Sequence, residues 1–193
     1  MLIFVTNRKL CINDFISRLK QLAELKPHAI ILREKDLPEQ EYEMLANQVK
    51  SVCQESKVTL IINQKIDIAL KLNIPYIHLS MEDMRKHSEK LRLFNCVGAS
   101  VHSTAEALEA VQLGAGYLIA GHIYATDCKK GMTPRGLNFL RDICSLVDVP
   151  VFAIGGITPE RINEVLETGA KGVCVMSQAM SCSDPSIFSA FTG

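Results

Sequence analysis

The chain has 193 residues, 21 Lys+Arg against 21 Asp+Glu, 48% hydrophobic residues and 22% charged ones. Zero formal charge excludes a uniformly basic nucleic-acid-binding surface and an acidic disordered tail, and the apolar content supplies enough core to exclude whole-chain disorder. It does not exclude a strongly charged pocket, and a single domain over 1–193 is the natural size.

The seven cysteines, Cys11, Cys53, Cys96, Cys128, Cys144, Cys174 and Cys182, fall singly without CxxC or zinc-finger spacing, which favours reduced thiols over a disulfide framework. MLIFVT runs into Asn7, Arg8 and Lys9 with no extended apolar segment or cleavage pattern, and no later stretch offers 18 uninterrupted apolar residues. A cytoplasmic protein with no membrane or nucleic-acid partner is expected.

Along the chain, MLIFVT, HAIILRE, VTLIIN, IPYIHL, FNCVGA, AGYLIAG, PVFAIG and GVCVM are eight short apolar or β-branched runs of the kind that form buried parallel strands. Between the first runs, Ile12, Phe15, Ile16, Leu19 and Leu22 form one helical stripe, and Tyr42, Leu45, Ala46, Val49 and Val52 form another. A weakly patterned fourth helix is expected from Glu82 to Leu93. Ser103 with Glu106 has capping-box spacing, while Thr158-Pro159 and Asp184-Pro185 each place a cap before a first-turn proline. Eight strand–helix units of about 24 residues favour a compact α/β fold, a (β/α)8 TIM barrel, over an open doubly wound sheet.

In such a barrel, residues just past the strands converge on the C-terminal mouth. Arg33 and Lys35 follow the second strand at alternating positions, so they share a side and can hold an anion, the one as a planar fork and the other as a point charge. Asn63 ends the third strand as a polar pocket candidate, whereas Asp67 suits the following helix turn. His78 lies near the end of the fourth. Glu82 and Asp83 read better as a helix N-terminus than as a carboxylate pair. Ser100 follows the fifth strand with His102.

The sharpest group is Gly121 to Gly131, GHIYATDCKKG, in which His122 can project into the mouth with a reference pKa of about 6.5, suited to proton transfer. Thr126 and Lys129 can orient and neutralise a polar ligand, and Cys128 sits between them as a passive or reactive pocket group. Gly155-Gly156 after the seventh strand can bring backbone amides and the next helix terminus to a phosphate, and Met176-Ser177 after the eighth can complete the cradle. No Walker loop and no dinucleotide GxGxxG with its acidic partner occurs. Each of these positions has an ordinary alternative as a solvated rim, a tight turn or a cap.

From its first strand through GVCVMSQAM the chain resembles the thiamine phosphate synthase superfamily, and especially its thiazole tautomerase branch, on ILREK, IIN, HLSMED, GASVH, GHIYATDCKKG, AIGGI and GVCVMS. The resemblance implies a (β/α)8 barrel, commonly a homodimer, that binds a thiazole phosphate. It implies cofactor-independent aromatisation of a carboxythiazole phosphate tautomer in thiamine biosynthesis. His122 would be the catalytic acid/base, and Arg33, Lys35, Asn63, Ser100, Thr126, Cys128 and Lys129 would bind substrate. Gly155, Gly156, Met176 and Ser177 would bind its phosphate.

The synthases themselves generally carry Asn-Asp after strand three and Gly-Pro-x-Phe-Pro-Thr-x-Thr-Lys after strand six, where this chain reads Asn63-Gln64 and GHIYATDCK. Losing the acid at Gln64 removes a charge and weakens the case for Mg2+-pyrophosphate binding, although Asp83 is retained. On these grounds the expectation is an isomerase without metal. Mg2+-dependent thiamine phosphate synthase is the alternative, and a noncatalytic phosphate-ligand-binding or regulatory protein is a further one.

Overall fold

The computed structural model describes residues 1–191, so the last two residues of the single-domain span 1–193 lie outside the described residues. Every apolar run is a strand: β1 (Leu2–Val5), β2 (Ala29–Leu32), β3 (Thr59–Asn63), β4 (Tyr76–Ser80), β5 (Cys96–Val101), β6 (Tyr117–Gly121), β7 (Val151–Ile154) and β8 (Gly172–Val175). All pair in parallel and in chain order, and β8 closes on β1, with Ile3 beside Ala29 on one side and Cys174 on the other. The fold is a compact (β/α)8 barrel.

Closure sorts the side chains with period two. Ile3, Val5, Ala29, Ile31, Ile61, Ile119, Phe152 and Cys174 pack together inside the barrel, while Leu2, Phe4, Ile30, Leu32 and Ile62 pack in the layer beneath the helices. Each fully buried aliphatic side chain contributes about 1.5–3 kcal/mol.

Helix α1 (Phe15–Glu24) starts where the Asp14 carboxylate accepts the Ser17 amide at 2.8 Å, and it buries Leu19, Leu22 and Ala23. Ile12 precedes this cap and is 59% exposed, so the stripe begins at Phe15. Helix α2 (Glu39–Ser56) buries Tyr42, Ala46, Val49 and Val52, and the Tyr42 hydroxyl donates to the Leu32 carbonyl at 2.7 Å, locking the helix onto β2.

After α3 (Ile66–Lys71), the expected helix over 82–93 is instead α4 (Met81–Lys86) followed by a 3-10 segment, Ser88–Leu93. Only Met81, Met84 and Leu91 are buried there, too sparse a stripe to hold one continuous helix. At α5 (Thr104–Gln112) the Ser103 hydroxyl accepts the Glu106 amide at 3.1 Å, and Glu106 reaches back to the His102 amide at 2.6 Å, one residue beyond the usual capping-box partner. Helices α6 (Gly136–Leu146), α7 (Ile162–Leu166) and α8 (Ser177–Ser181) complete the set.

Both Pro signals open 3-10 segments, Pro159–Arg161 and Pro185–Phe191, since neither is followed by a long apolar stripe; Asp184 accepts the Ser186 amide at 2.8 Å, whereas the expected Thr158 cap makes no side-chain cap bond. Among the described residues no helix is long and apolar enough to cross a membrane.

Candidate functional site

At the mouth, the ends of β1 and β2 are knotted by a buried carboxylate. Glu34 accepts the Thr6 hydroxyl at 2.7 Å and the Arg8 amide at 3.0 Å, and the Arg33 amide donates to Thr6 Oγ1 at 2.9 Å. Arg33 and Lys35 flank this buried carboxylate, close enough for their charges to act on one another. Arg33 Nη1 reaches to 4.0 Å from Met176 Sδ, bringing the end of β2 against the end of β8. Partial burial lowers the Lys35 pKa, the Arg33 and Lys129 charges lower it further, and Asp83 opposes them. A cleft of about 310 Å³ opens here, lined by Glu34, Lys35, Asn63, Gln64 and Lys65.

Past β3 the backbone turns through Gln64 at φ +64°, a left-handed conformation that costs a non-glycine residue about 1 kcal/mol or more. The turn sends the Gln64 side chain across to α4. Asn63 Nδ2 donates to Gln64 Oε1 at 3.1 Å, Gln64 Nε2 donates to Asp83 Oδ2, and the Ser80 hydroxyl donates to the same oxygen at 2.6 Å. Partial burial works against the Asp83 carboxylate, but the hydrogen bonds from Ser80 and Gln64 outweigh it and leave its pKa below the usual carboxylate range. Asp67 instead accepts from Lys90 Nζ at 2.8 Å on the outside of the barrel.

On the opposite rim, Gly155 and Gly156 have φ +102° and +65°. A Cβ on Gly155 would lie 2.5 Å from His122 Cβ, and one on Gly156 would lie 2.4 Å from the Ala125 carbonyl oxygen, so both loops close together only with glycine at these places. His122 is therefore at the same end as the glycine loop, 8% exposed, with Nε2 3.4 Å from the Met132 carbonyl. Thr126 opens the 3-10 turn Asp127–Lys129 and accepts the Lys129 amide at 3.0 Å. Cys128 Sγ meets Ser177 Oγ at 3.0 Å, joining the β6 and β8 loops. His102 is structural, with Nδ1 2.8 Å from the Gly121 carbonyl.

One part of the expected cradle is corrected. The glycines lead into a 3-10 turn and the five-residue α7, and Ser177 opens the five-residue α8. Neither helix is long enough to present a strong dipole, so the backbone amides of the glycine loop and the Ser177 hydroxyl must supply any anion contact.

The mouth thus gathers Arg33, Lys35, Asn63, Ser100, Lys129, His122, the glycine pair and Ser177 from six strand ends. Sequence reasoning missed three supports. Glu34 was hidden between two more conspicuous cations. Arg161 donates to the Gly156 carbonyl at 2.8 Å with its guanidinium 4.4 Å from the Tyr124 ring centroid, and the Tyr124 hydroxyl donates to Glu164 at 2.6 Å. Tyr117, whose buried hydroxyl meets His78 inside the barrel, was the third. Within the apolar run AGYLIAG it reads as one more strand residue.

A closed eight-stranded parallel barrel with polar and cationic groups collected at the C-terminal strand ends places the chain in the (β/α)8 class. More particularly, the chain belongs to the thiamine monophosphate synthase family, whose pattern matches residues 2–179. It is 35% identical over 184 residues to a thiamine-phosphate synthase of Pyrococcus horikoshii, covering 95% of this chain and 88% of that one. It is 37% identical over 183 residues to one of Clostridium acetobutylicum, covering 93% and 87%. A thiamine phosphate pyrophosphorylase from Pyrococcus furiosus superposes with TM-score 0.86 at 31% identity over 99% of this chain and 92% of that one.

These relatives overturn the isomerase expectation: they are named as synthases, and none of these names is a tautomerase. The assignment of His122 as the proton-moving group belonged to the isomerisation and goes with it. Gln64 had pointed away from a synthase, and the names of the relatives outweigh that one substitution. The carboxamide removes a charge but keeps two polar atoms at the same turn, and it remains bound to Asp83.

The family implies Mg2+. Among the described residues there is no group of three or more His, Cys, Asp or Glu side chains arranged to hold a metal ion. Mg2+ is commonly bound through one or two carboxylates, water and substrate phosphates, and Asp83 fits that lighter requirement: both hydrogen bonds from Ser80 and Gln64 fall on Oδ2, not on Oδ1.

Proposed function

We propose that this chain is a thiamine phosphate synthase, joining hydroxymethylpyrimidine pyrophosphate to a thiazole phosphate. In the reaction the bond between the pyrimidine methylene carbon and the diphosphate oxygen breaks. A bond from that carbon to the thiazole nitrogen forms, and diphosphate leaves.

The observation that carries the reading is the pairing of two anion-accepting edges across one mouth. Arg33 and Lys35 form one with Asp83 nearby, and the Gly155-Gly156 loop with Met176 and Ser177 forms the other; the two meet where Arg33 Nη1 lies 4.0 Å from Met176 Sδ and where Lys129 follows Cys128, whose Sγ is 3.0 Å from Ser177 Oγ. The cationic edge takes the diphosphate and stabilises its growing negative charge as the carbon–oxygen bond lengthens. Arg33 offers a fork to two oxygens, and Lys35 and Lys129 offer point charges. The glycine loop and Ser177 take the thiazole phosphate and fix its ring opposite the carbon under attack, which supplies the orientational part of catalysis. Asn63 and Ser100 hydrogen-bond the organic parts or the diphosphate rim, while His122, Thr126 and Cys128 wall the space between the two anions. Asp83 would hold Mg2+ with water and diphosphate oxygens, and the ion when bound would neutralise diphosphate charge.

The test is to supply purified protein with both substrates and Mg2+ and to follow thiamine phosphate and released diphosphate. Stoichiometric formation of both, lost with chelator, is expected. Folded protein that forms neither overturns the reading. Thiazole phosphate bound without turnover would favour a noncatalytic ligand-binding role.

A further inference from the structure

Three polar side chains run in line through the otherwise apolar barrel interior. Tyr117 opens β6 near the floor, His78 lies in mid-β4, and Ser100 lies near the top of β5. His78 Nδ1 is 3.1 Å from the Tyr117 hydroxyl, and His78 Nε2 is 2.8 Å from Ser100 Oγ. Gly98 makes the line possible. It pairs with His78 on one side and Tyr117 on the other, and a Cβ there would come within 2.0 Å of the Tyr117 ring, which fills the vacated space. Phe152 holds the ring from the other side in an edge-to-face contact at 5.9 Å.

Burial keeps the imidazole neutral, with its pKa lowered to about 3, and keeps the phenol protonated. A neutral imidazole has one donor nitrogen and one acceptor nitrogen, so the line has two possible polarities. Among the described residues, the Tyr117 hydroxyl has His78 Nδ1 as its hydrogen-bond partner. If Nδ1 carried the proton, it would donate to the phenol oxygen and leave the buried phenol hydrogen without an acceptor, a cost that makes this polarity a minor population. In the other polarity Tyr117 donates to Nδ1, Nε2–H donates to Ser100 Oγ, and every buried donor is met. The Ser100 hydrogen then turns away from His78 and is free for another acceptor.

We propose that Tyr117 and His78 are positioning residues that set Ser100 as a dedicated hydrogen-bond donor to a phosphate or diphosphate oxygen of the ligand. Ser100 is suited to this because it pairs with Ser80, whose hydroxyl binds Asp83, so it stands beside the diphosphate edge of the mouth. The ligand class rests on the synthase reading; the polarity of the line does not.

Two measurements test the proposal. Long-range proton–nitrogen correlation spectra of the 15N-histidine-labelled wild type, without substrate, should show His78 protonated on Nε2 and bare on Nδ1. Titration with inorganic diphosphate should show binding weakened about tenfold in Ser100→Ala and several-fold in Tyr117→Phe, with no further loss when Tyr117→Phe is added to Ser100→Ala. A proton on Nδ1 in the wild type overturns the proposal, even where Tyr117→Phe fails to fold. So does an undiminished Tyr117→Phe effect in the Ser100→Ala background, or a wild type that does not bind diphosphate. Diphosphate binding with the expected coupling but no thiamine phosphate formed would overturn the synthase reading alone.

Discussion

The Gln64 carboxamide donates to the Asp83 carboxylate across two adjacent strand ends, at the place where the synthase pattern carries a second acid. One amide hydrogen bond thus stands where two carboxylates would repel each other. Gln64→Asp should raise Mg2+ affinity in the presence of diphosphate by about tenfold, since a second carboxylate adds a full charge to the ligand set. It should also raise the Asp83 pKa, because a donor is replaced by a like charge. Calorimetric Mg2+ titrations of the two proteins with diphosphate present compare them directly; equal affinities would remove Gln64 from the metal-binding edge.

Lys35 provides a pH signature. Its free-protein pKa is lowered from the ordinary 10.5, so it sheds its charge earlier than a solvated lysine as pH rises. Diphosphate affinity should therefore decline along an alkaline limb that begins below that value. Lys35→Arg should move the limb upward, and Lys35→Ala should weaken binding near neutral pH by about 10- to 100-fold, the worth of a charged hydrogen bond. An identical alkaline limb in Lys35→Arg would show that another group titrates.

Gly156→Ala puts a methyl group within 2.4 Å of the Ala125 carbonyl oxygen at φ +65°. The obstacle is backbone, so the two loops must part. A loss of about 1–3 kcal/mol is expected in denaturant unfolding, together with a raised KM for thiazole phosphate and little change for the diphosphate substrate. Equal KM changes for both substrates would argue against separate anion edges.

His78 makes stability depend on pH in a defined direction. Its pKa falls from 6.5 to about 3 on folding, so between these values the unfolded chain binds a proton that the native chain refuses. Stability should drop as pH falls from about 6.5, by roughly 1 kcal/mol per pH unit from this group, and His78→Gln should flatten that slope whatever its own stability. Urea unfolding series at pH 7, 6, 5 and 4 compare the slopes. Parallel curves for the two proteins would mean that His78 is not held neutral.

Removing Arg161 tests the support of the glycine loop. Arg161→Ala loses the bond to the Gly156 carbonyl and the stacking over Tyr124, and thiazole phosphate KM should rise about tenfold. Arg161→Lys should recover only part, because an ammonium keeps charge but not the planar contact. Full recovery by lysine would reduce the contact to simple charge.

Strand positions and the barrel were legible because short apolar runs obey local sterics and burial, and eight of them in series can avoid open edges only by closing. That Arg33 and Lys35 fall just past β2 was legible for the same reason. Helix lengths were not: Ser80 caps the segment before 82–93 and Asp184 accepts the Ser186 amide, while Thr158 makes no side-chain cap bond, and in all three the apolar stripe that sustains a helix was too sparse. The isomerase expectation rested on reading Gln64 and His122 as isolated substitutions. Only the folded chain decides what each side chain meets. Gln64 finds Asp83, Tyr117 reaches His78 over Gly98, and Arg161 grips Gly156, because hydrogen bonds between strand ends depend on how the barrel closes and not on distance along the chain.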